Sequence, residues 1–530
     1  MKKILFTGLL LAAFSLPDRV MGQTDYPTLS EVNSRVASIA SNGSAELITL
    51  TKTEGGEDIL VLKIGTGNMD EKPAIAVVGG AEGFHVLSVE LALQFAEKLV
   101  NDHADVLEKT SFYIFPNMSP DAYQQYHSSL KYHRRGNTME LDHDRDGEKG
   151  ENGYTDLNGD GMITWMRVED SLGEYMISEE DERVLVKADR SKGQSGSYSV
   201  FMESKDDDDD GKFAEDPPEG IAFNKSLTYK FPVFEPLAGD IAASPVETRA
   251  LLDYLFEQWN IFAFVTFSPA NNLSTPLKHN SSEARKRVVS SILAGDQKIN
   301  KLVSDKYKEV VSQKAFQQTN QGTDGDFFQW AYFHFGRMSF STPGYWTPEF
   351  GGKSNAEANY LAWADSLGWK DSFVPWTEIN HPDFPGKKVE VGGIKPFVMV
   401  NPPFEKVGQI ADEHTEFILA LASMQPSLEL YNLEVEDLGN GLSRVSVDLY
   451  NNSPLPTHTE LGDRSRWLRK IRIDMDLDDD RLISGSKIAT LEMLGAYEKA
   501  SMSWVVRGKG DVTLKVGASH VGFITETINL

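Results

Sequence analysis

The sequence predicts an α/β domain followed by a small all-β sandwich, and three stretches point to that architecture. Residues 74–78 (AIAVV) are a short apolar run closed by Gly79 and Gly80, as expected of a strand covered on both faces. Residues 86–100 then show helical periodicity. Leu87, Leu91, Phe95 and Leu99 recur every four residues, and Glu90, Gln94, Glu97 and Lys98 fall mostly elsewhere on the wheel. From residue 426 the pattern changes to strand-length runs separated by Gly, Asn, Asp and Pro, several alternating apolar and polar, which suggests a sandwich of about 100 residues. At 530 residues and 40% hydrophobic content, the chain is too long for one core, so two or three units are expected.

The chain opens with Lys2 and Lys3, an apolar run over residues 4–16 and small residues at Gly22. This is the pattern of a cleavable signal peptide over residues 1–22, which predicts an exported protein, periplasmic or secreted. The run is shorter than the roughly 20 apolar residues needed to span a bilayer. No later segment reads as a membrane helix, so an integral membrane protein is not expected. There is no cysteine, hence neither a disulfide framework nor a lipid-attachment cysteine. A formal charge of −27 argues against nucleic acid and anionic membrane surfaces as partners.

In chain order, a first helix is expected over 28–40, with Thr28 and Glu31 at capping-box spacing. Residues 45–51 and 58–64 flank Gly55-Gly56 and read as a hairpin at one side of the sheet. Between the strand at 74–78 and its helix stand Glu82 and His85, three residues apart. One turn could aim both at a point outside the carboxyl edge of the sheet, where open α/β sheets place their ligands. A strand at 111–115 ends in Pro-Asn-Met-Ser-Pro-Asp-Ala (116–122), and Arg134, Arg135 and Asn137 follow. Either arginine could grip a carboxylate or polarise a carbonyl with its planar donor fork.

The segment 142–167 carries another chemistry. Asp142, Asp144 and Asp146 with Gly147, and Asp156, Asn158 and Asp160 with Gly161, place oxygen ligands at every second residue and a glycine at the sixth. That is the front half of a calcium loop. The twelfth positions, Gly153 and Arg167, lack the bidentate glutamate, so another carboxylate such as Glu148, Glu151, Glu169 or Asp170 would complete the shell, or the loops would share ions. Residues 171–219 read as a long irregular insertion, within which the acidic run 206–210 is most simply a solvated loop. Core pattern returns at 220–226, including Asn224 and Lys225. Ser244-Pro245-Val246-Glu247 then predicts a serine-capped helix leading into a strand at 261–267 that ends at Ser268. Helices are expected at 282–313 and 327–335, ahead of Ser341-Thr342-Pro343-Gly344-Tyr345-Trp346.

Taken in this order, the segments from about residue 26 to 424 resemble the zinc carboxypeptidase family, the carboxypeptidase A type of metallopeptidase. The resemblance implies a mixed, mostly parallel sheet with helices on both faces. In that family the turn reads His-x-x-Glu and both side chains bind zinc; here Glu82 and His85 stand in the reverse order. The third ligand, a histidine, falls at Ser268, which is not a credible zinc ligand. His279 could replace it only if its loop folded back. The glutamate that acts as general base falls at Gly344, which has no proton-transfer group, and Glu349 is displaced from that position. The family's substrate arginine matches Arg134 or Arg135. Its Asn-Arg pair for the terminal carboxylate matches Asn224 and Lys225, where lysine keeps the charge but not the bidentate geometry.

The expected layout is therefore a signal peptide at 1–22, a carboxypeptidase-like α/β domain at 23–425 with an acidic, calcium-binding insertion at 140–219, and a β-sandwich at 426–530. The expected function is an exported carboxypeptidase-like protein without catalysis. Its cleft would bind a peptide or cell-wall fragment with a free carboxylate through Arg134, Arg135, Asn224 and Lys225. The alternatives are an active zinc metallocarboxypeptidase with a rearranged site around Glu82 and His85, and a calcium-stabilised scaffold. Calcium is the expected cofactor, and zinc is required only by the active alternative.

Overall fold

The computed structural model describes residues 25–142, 147, 149–150, 152–313, 320–465 and 467–530. The expected signal segment at 1–22, and Asp144, Asp146, Glu148 and Glu151 of the first acidic loop, lie outside the described residues.

A six-stranded sheet runs in the order Ala45–Lys52, Asp58–Ile64, Ser111–Phe115, Ala74–Val78, Ile261–Phe267, Met338–Thr342. Its first two pairings are antiparallel and the remaining three parallel. This is the mixed, mostly parallel sheet expected, with the hairpin at one edge. All five residues of Ala74–Val78 are buried. Ile75 and Val77 enter a core shared with helices Leu29–Ala40, Val86–Asp102, Ala294–Val310 and Val407–Ser423. Ala74, Ala76 and Val78 enter a second core with Val246–Glu257 and Phe327–Phe333. The two-residue period of a strand that is apolar throughout thus requires a helical layer on each face. Each Ile or Val side chain fully buried this way contributes about 1.5–3 kcal/mol.

Several element ends differ from expectation. The capping box at Thr28 and Glu31 is formed, but Glu90 does not face solvent. It is 1% exposed and paired with Arg35, which also reaches Glu97. The helix Val246–Glu257 takes Pro245 as its cap with no side-chain cap bond, so Ser244 is not the cap. Glu247 turns inward to accept Asn137 Nδ2 at 2.8 Å. The helix expected from 282 begins only at Ala294. Ahead of it the chain closes on itself as a loop, with Asn280 N donating to Ser291 Oγ and His279 Nδ1 meeting the Ile292 carbonyl.

The larger correction concerns the insertion, which is not irregular. Trp165–Glu169, Tyr175–Ile177, Leu185–Lys187 and Tyr198–Met202 join Phe373–Ile379 and Val389–Ile394 in a six-stranded antiparallel sheet. Met166, Val168, Val389 and Val391 form its small core.

Residues beyond 427 form two four-stranded antiparallel sheets, consistent with the expected sandwich. Val445, Val447, Leu449, Ile473, Leu514 and Val516 are among the side chains buried between them. Among the described residues, no helix is long and apolar enough to cross a membrane.

Candidate functional site

The turn that presents Glu82 and His85 is shaped by contacts on both sides. Gly80 has φ +61°, and a Cβ there would stand 2.3 Å from Asn117 Oδ1, so the turn needs glycine. The helix that follows starts under Asn401, whose Oδ1 accepts from Leu87 N at 3.0 Å and whose Nδ2 donates to the Phe84 carbonyl at 2.9 Å. Nothing local in the sequence marks Asn401, because it comes from 314 residues away. Asp121 accepts from Thr53 Oγ1 and Thr138 N, tying the hairpin to the arginine segment.

Glu82 is 4% exposed and is not free. Arg135 Nε and Nη2 donate to its two oxygens at 3.0 and 2.9 Å, and Asn224 Nδ2 adds a third contact at 3.2 Å. Glu219 fixes the arginine's backbone by accepting from Arg135 N and Gly136 N at 2.7 and 2.8 Å. Arg134 instead binds the Gly136 and Asn137 carbonyls. Of the two arginines, the cleft therefore holds Arg135. Lys225 Nζ reaches the Pro236 carbonyl, and burial, followed by the charge of Arg135, lowers its pKa.

His85 is 1% exposed, and neither ring nitrogen makes a hydrogen bond of normal geometry, although the Pro343 carbonyl attracts a ring proton. Burial pushes its pKa down to about 4, so the ring is neutral at pH 7. Ser268 Oγ is buried at 3.0 Å from Ser341 Oγ and accepts from Ala270 N. His279 stays with its own loop, and Glu349 is exposed. Gly344 has φ +73°, and a Cβ there would lie 2.5 Å from Leu91 Cδ1.

A zinc carboxypeptidase family model matches residues 37–165. Over those residues the chain is similar to the zinc carboxypeptidase family. The matched span contains Glu82, His85, Arg134 and Arg135 and stops short of Asn224, Ser268 and Gly344. A second model, described as a domain of unknown function (DUF8731), matches residues 427–529. No curated protein matches the chain.

Among solved structures, bovine thrombin-activatable fibrinolysis inhibitor in complex with tick carboxypeptidase inhibitor is 14% identical, covers 76% of this chain and 97% of its own, and has a TM-score of 0.35. Carboxypeptidase A from Helicoverpa armigera is 13% identical, with coverage of 76% and 74% and a TM-score of 0.41. A metallo-carboxypeptidase from Burkholderia cenocepacia is 18% identical over 18% of this chain and 27% of its own, with a TM-score of 0.17. Likenesses at these scores carry no argument about chemistry.

The residues at the zinc carboxypeptidase positions do not fit zinc. Both oxygens of Glu82 face a guanidinium. His85 offers an unpartnered nitrogen, but a zinc site needs three protein ligands. Among the described residues, neither Glu82 nor His85 falls in a group of three His, Cys, Asp or Glu donors within 4.8 Å of one another. Hydrolysis would also need a base for the metal-held water; at Gly344, where the resemblance places it, the backbone is left-handed and a Cβ would meet Leu91.

In the insertion, Asp156 Oδ1 accepts from Gly159 N and Asp160 N, and its Oδ2 accepts from Gly161 N. Asn158 Oδ1 accepts from Asp160 N. Asp142 Oδ2 accepts from Gly147 N at 3.1 Å, the same first-to-sixth bond. Glu203 spans the second loop, accepting from Leu157 N near its start and from Thr164 N beyond its end. The run 206–210, expected as a solvated stretch, is folded into a third turn of the same kind, with Asp206 Oδ2 accepting from Gly211 N at 3.0 Å.

Proposed function

We propose that this is an exported, carboxypeptidase-like protein that binds its ligand without hydrolysing it, and that the ligand is a peptide or cell-wall fragment presenting a free carboxylate. The observation that carries this is the bidentate grip of Arg135 on Glu82. A guanidinium there supplies the positive charge that a divalent cation would supply to a ligand carboxylate, so Glu82 is neutralised without metal. Gly344 removes the base independently.

Carboxylate capture keeps its charge. Arg135 has five N–H donors, two of them engaged by Glu82, and its side chain is 29% exposed. Lys225 lies close enough for Arg135 to lower its pKa, which places two cations in one cleft. Asn224 serves by holding Glu82, and Arg134 by bracing its own loop. Calcium is proposed for the loops at 142–146 and 156–160, on the alternation of oxygen ligands in the sequence and the first-to-sixth bonds Gly147 N to Asp142 Oδ2 and Gly161 N to Asp156 Oδ2. Export rests on the pattern at residues 1–22.

The test is metal analysis of the purified mature protein by mass spectrometry, beside an assay on a panel of C-terminal peptide substrates. Calcium without stoichiometric zinc, and no released amino acid, are expected. A peptide with a free C-terminus should bind and its amide should not, and Lys225→Ala should weaken binding about tenfold. About one zinc per chain with chelator-sensitive release would overturn the proposal.

A further inference from the structure

Residues 206–211 read Asp-Asp-Asp-Asp-Asp-Gly. Asp206, Asp208 and Asp210 each place a carboxylate oxygen within 4.8 Å of the other two. The loop itself orients the first of them, since Asp206 Oδ1 and Oδ2 accept from Asp210 N and Gly211 N at 3.1 and 3.0 Å. Lys212 Nζ lies 2.5 Å from Asp210 Oδ2 and is the cation already beside the cluster, at its solvent side.

A cluster of carboxylates is not by itself a site; Asn152 makes the difference here. It arrives from the segment between the two other acidic loops, is 1% exposed, and turns its carboxamide toward the cluster, with Nδ2 3.4 Å from Asp208 Oδ1. Its Oδ1 is buried without a hydrogen-bond partner. Buried amide oxygens are ordinarily paired, and a half-turn of the carboxamide exchanges oxygen for nitrogen. That half-turn puts an oxygen where Nδ2 now faces Asp208, so that the amide oxygen and the carboxylate can share a cation between them.

We propose that Asp206, Asp208, Asp210 and the side-chain oxygen of Asn152 form a site for a hard divalent cation of the calcium class. All four donors are oxygens, three of them charged, and they come from an irregular loop and a separate strand of chain. Calcium accepts such a shell with six to eight oxygens, water completing it, whereas magnesium demands near-octahedral geometry. The site is structural. Asp216 N donates to the Asn152 carbonyl at 3.3 Å, and Asp383 Oδ2, from the chain after Phe373–Ile379, accepts from Asp206 N at 3.0 Å. A bound ion therefore fastens the acidic run to two distant segments at the end of the antiparallel sheet. It depends on neither the carboxypeptidase cleft nor the loops at 142 and 156.

The test uses the full mature chain, stripped with chelator and titrated with calcium by flow dialysis, together with hydrogen exchange of residues 206–216. Wild type should gain protection in that segment when calcium is added. The combined variant Asp206→Asn, Asp208→Asn, Asp210→Asn should bind about one ion fewer per chain and show no such gain. Asn152→Leu should weaken the same site about tenfold. Unchanged ion count in the variants with no calcium-dependent protection in wild type would overturn the proposal and leave Lys212 as a counter-charge of the cluster. Should the variants fail to fold, exchange in wild type decides alone.

Discussion

Gly344 and His85 are each set by what packs around them. At Gly344 the left-handed backbone and Leu91 Cδ1, 2.5 Å from where a Cβ would lie, both oppose a side chain. Gly344→Glu should therefore cost about 2–4 kcal/mol of stability and yield no peptidase activity, measured by denaturant unfolding and peptide assay. His85 is a buried neutral imidazole. Burial holds its folded pKa at about 4 against an ordinary 6.5. Between those values the unfolded chain binds a proton that the folded chain does not, so the stability it contributes is fully present above pH 6.5 and is lost as pH falls toward 4. His133, stacked on Phe84, shifts the same way, by burial and then by the charge of Arg135. Glu203 and Asp326 act oppositely. Burial raises each to about 7, so their contribution is present at low pH and lost as pH rises through 7. His85→Leu should reduce the stability loss between pH 7 and pH 5 by about 2 kcal/mol relative to wild type, measured by denaturation at both pH values. Glu82 and His85 were legible in the sequence as a pair. The guanidinium on Glu82 was not, because Arg135 lies 53 residues away and nothing local distinguishes it from Arg134.

At the scale of elements, apolar periodicity located Ala74–Val78, Val86–Asp102 and Ile261–Phe267 correctly, since each buries a regular face. The antiparallel sheet of the insertion escaped because Tyr175–Ile177 and Leu185–Lys187 have three residues each, too few to show a period, and because Trp165–Glu169 finds a partner in Val389–Ile394 more than 200 positions later. Helix starts were missed at Ser244, where Pro245 is the cap and no side chain bonds it, and at 282, where the helix begins only at Ala294. Val86–Asp102 starts where its periodicity begins, has no side-chain cap of its own, and has its first turn satisfied by Asn401. Asn401→Ala should lower stability by about 1 kcal/mol, read from the denaturant midpoint, and should raise amide exchange at residues 86–88.

On the scale of the whole molecule, the carboxypeptidase-like part and the sandwich are joined by a buried arginine. Arg337 is 2% exposed and donates to the carbonyls of Ile261, Phe335 and Trp467 at 2.7, 3.3 and 2.6 Å. Burial pushes its pKa down to about 9, and it remains a cation at neutral pH. Phe256 stacks on Trp467 at 4.0 Å, and Asp296 accepts from Glu460 N and Leu461 N beside it. Arg337→Met keeps the stem but leaves carbonyls without donors. It should destabilise the chain by about 2–4 kcal/mol and split a single calorimetric transition into two. An unchanged single transition would show that the stacked rings and Asp296 hold the junction without it.

The sequence by itself determined the alternating faces of the strands, the change to β-pattern near residue 426, and the side-chain chemistry available at Ser268 and Gly344. These follow from local periodicity or from the chemistry of one side chain, and neither depends on what lies across the fold. Tertiary structure alone decided that Arg135 pairs with Glu82, that Asn401 starts the central helix, that the insertion is a sheet, and that Asn152 meets the carboxylates of 206–210. Each joins groups distant in sequence, and the free energy of such a pairing comes from burying both partners together.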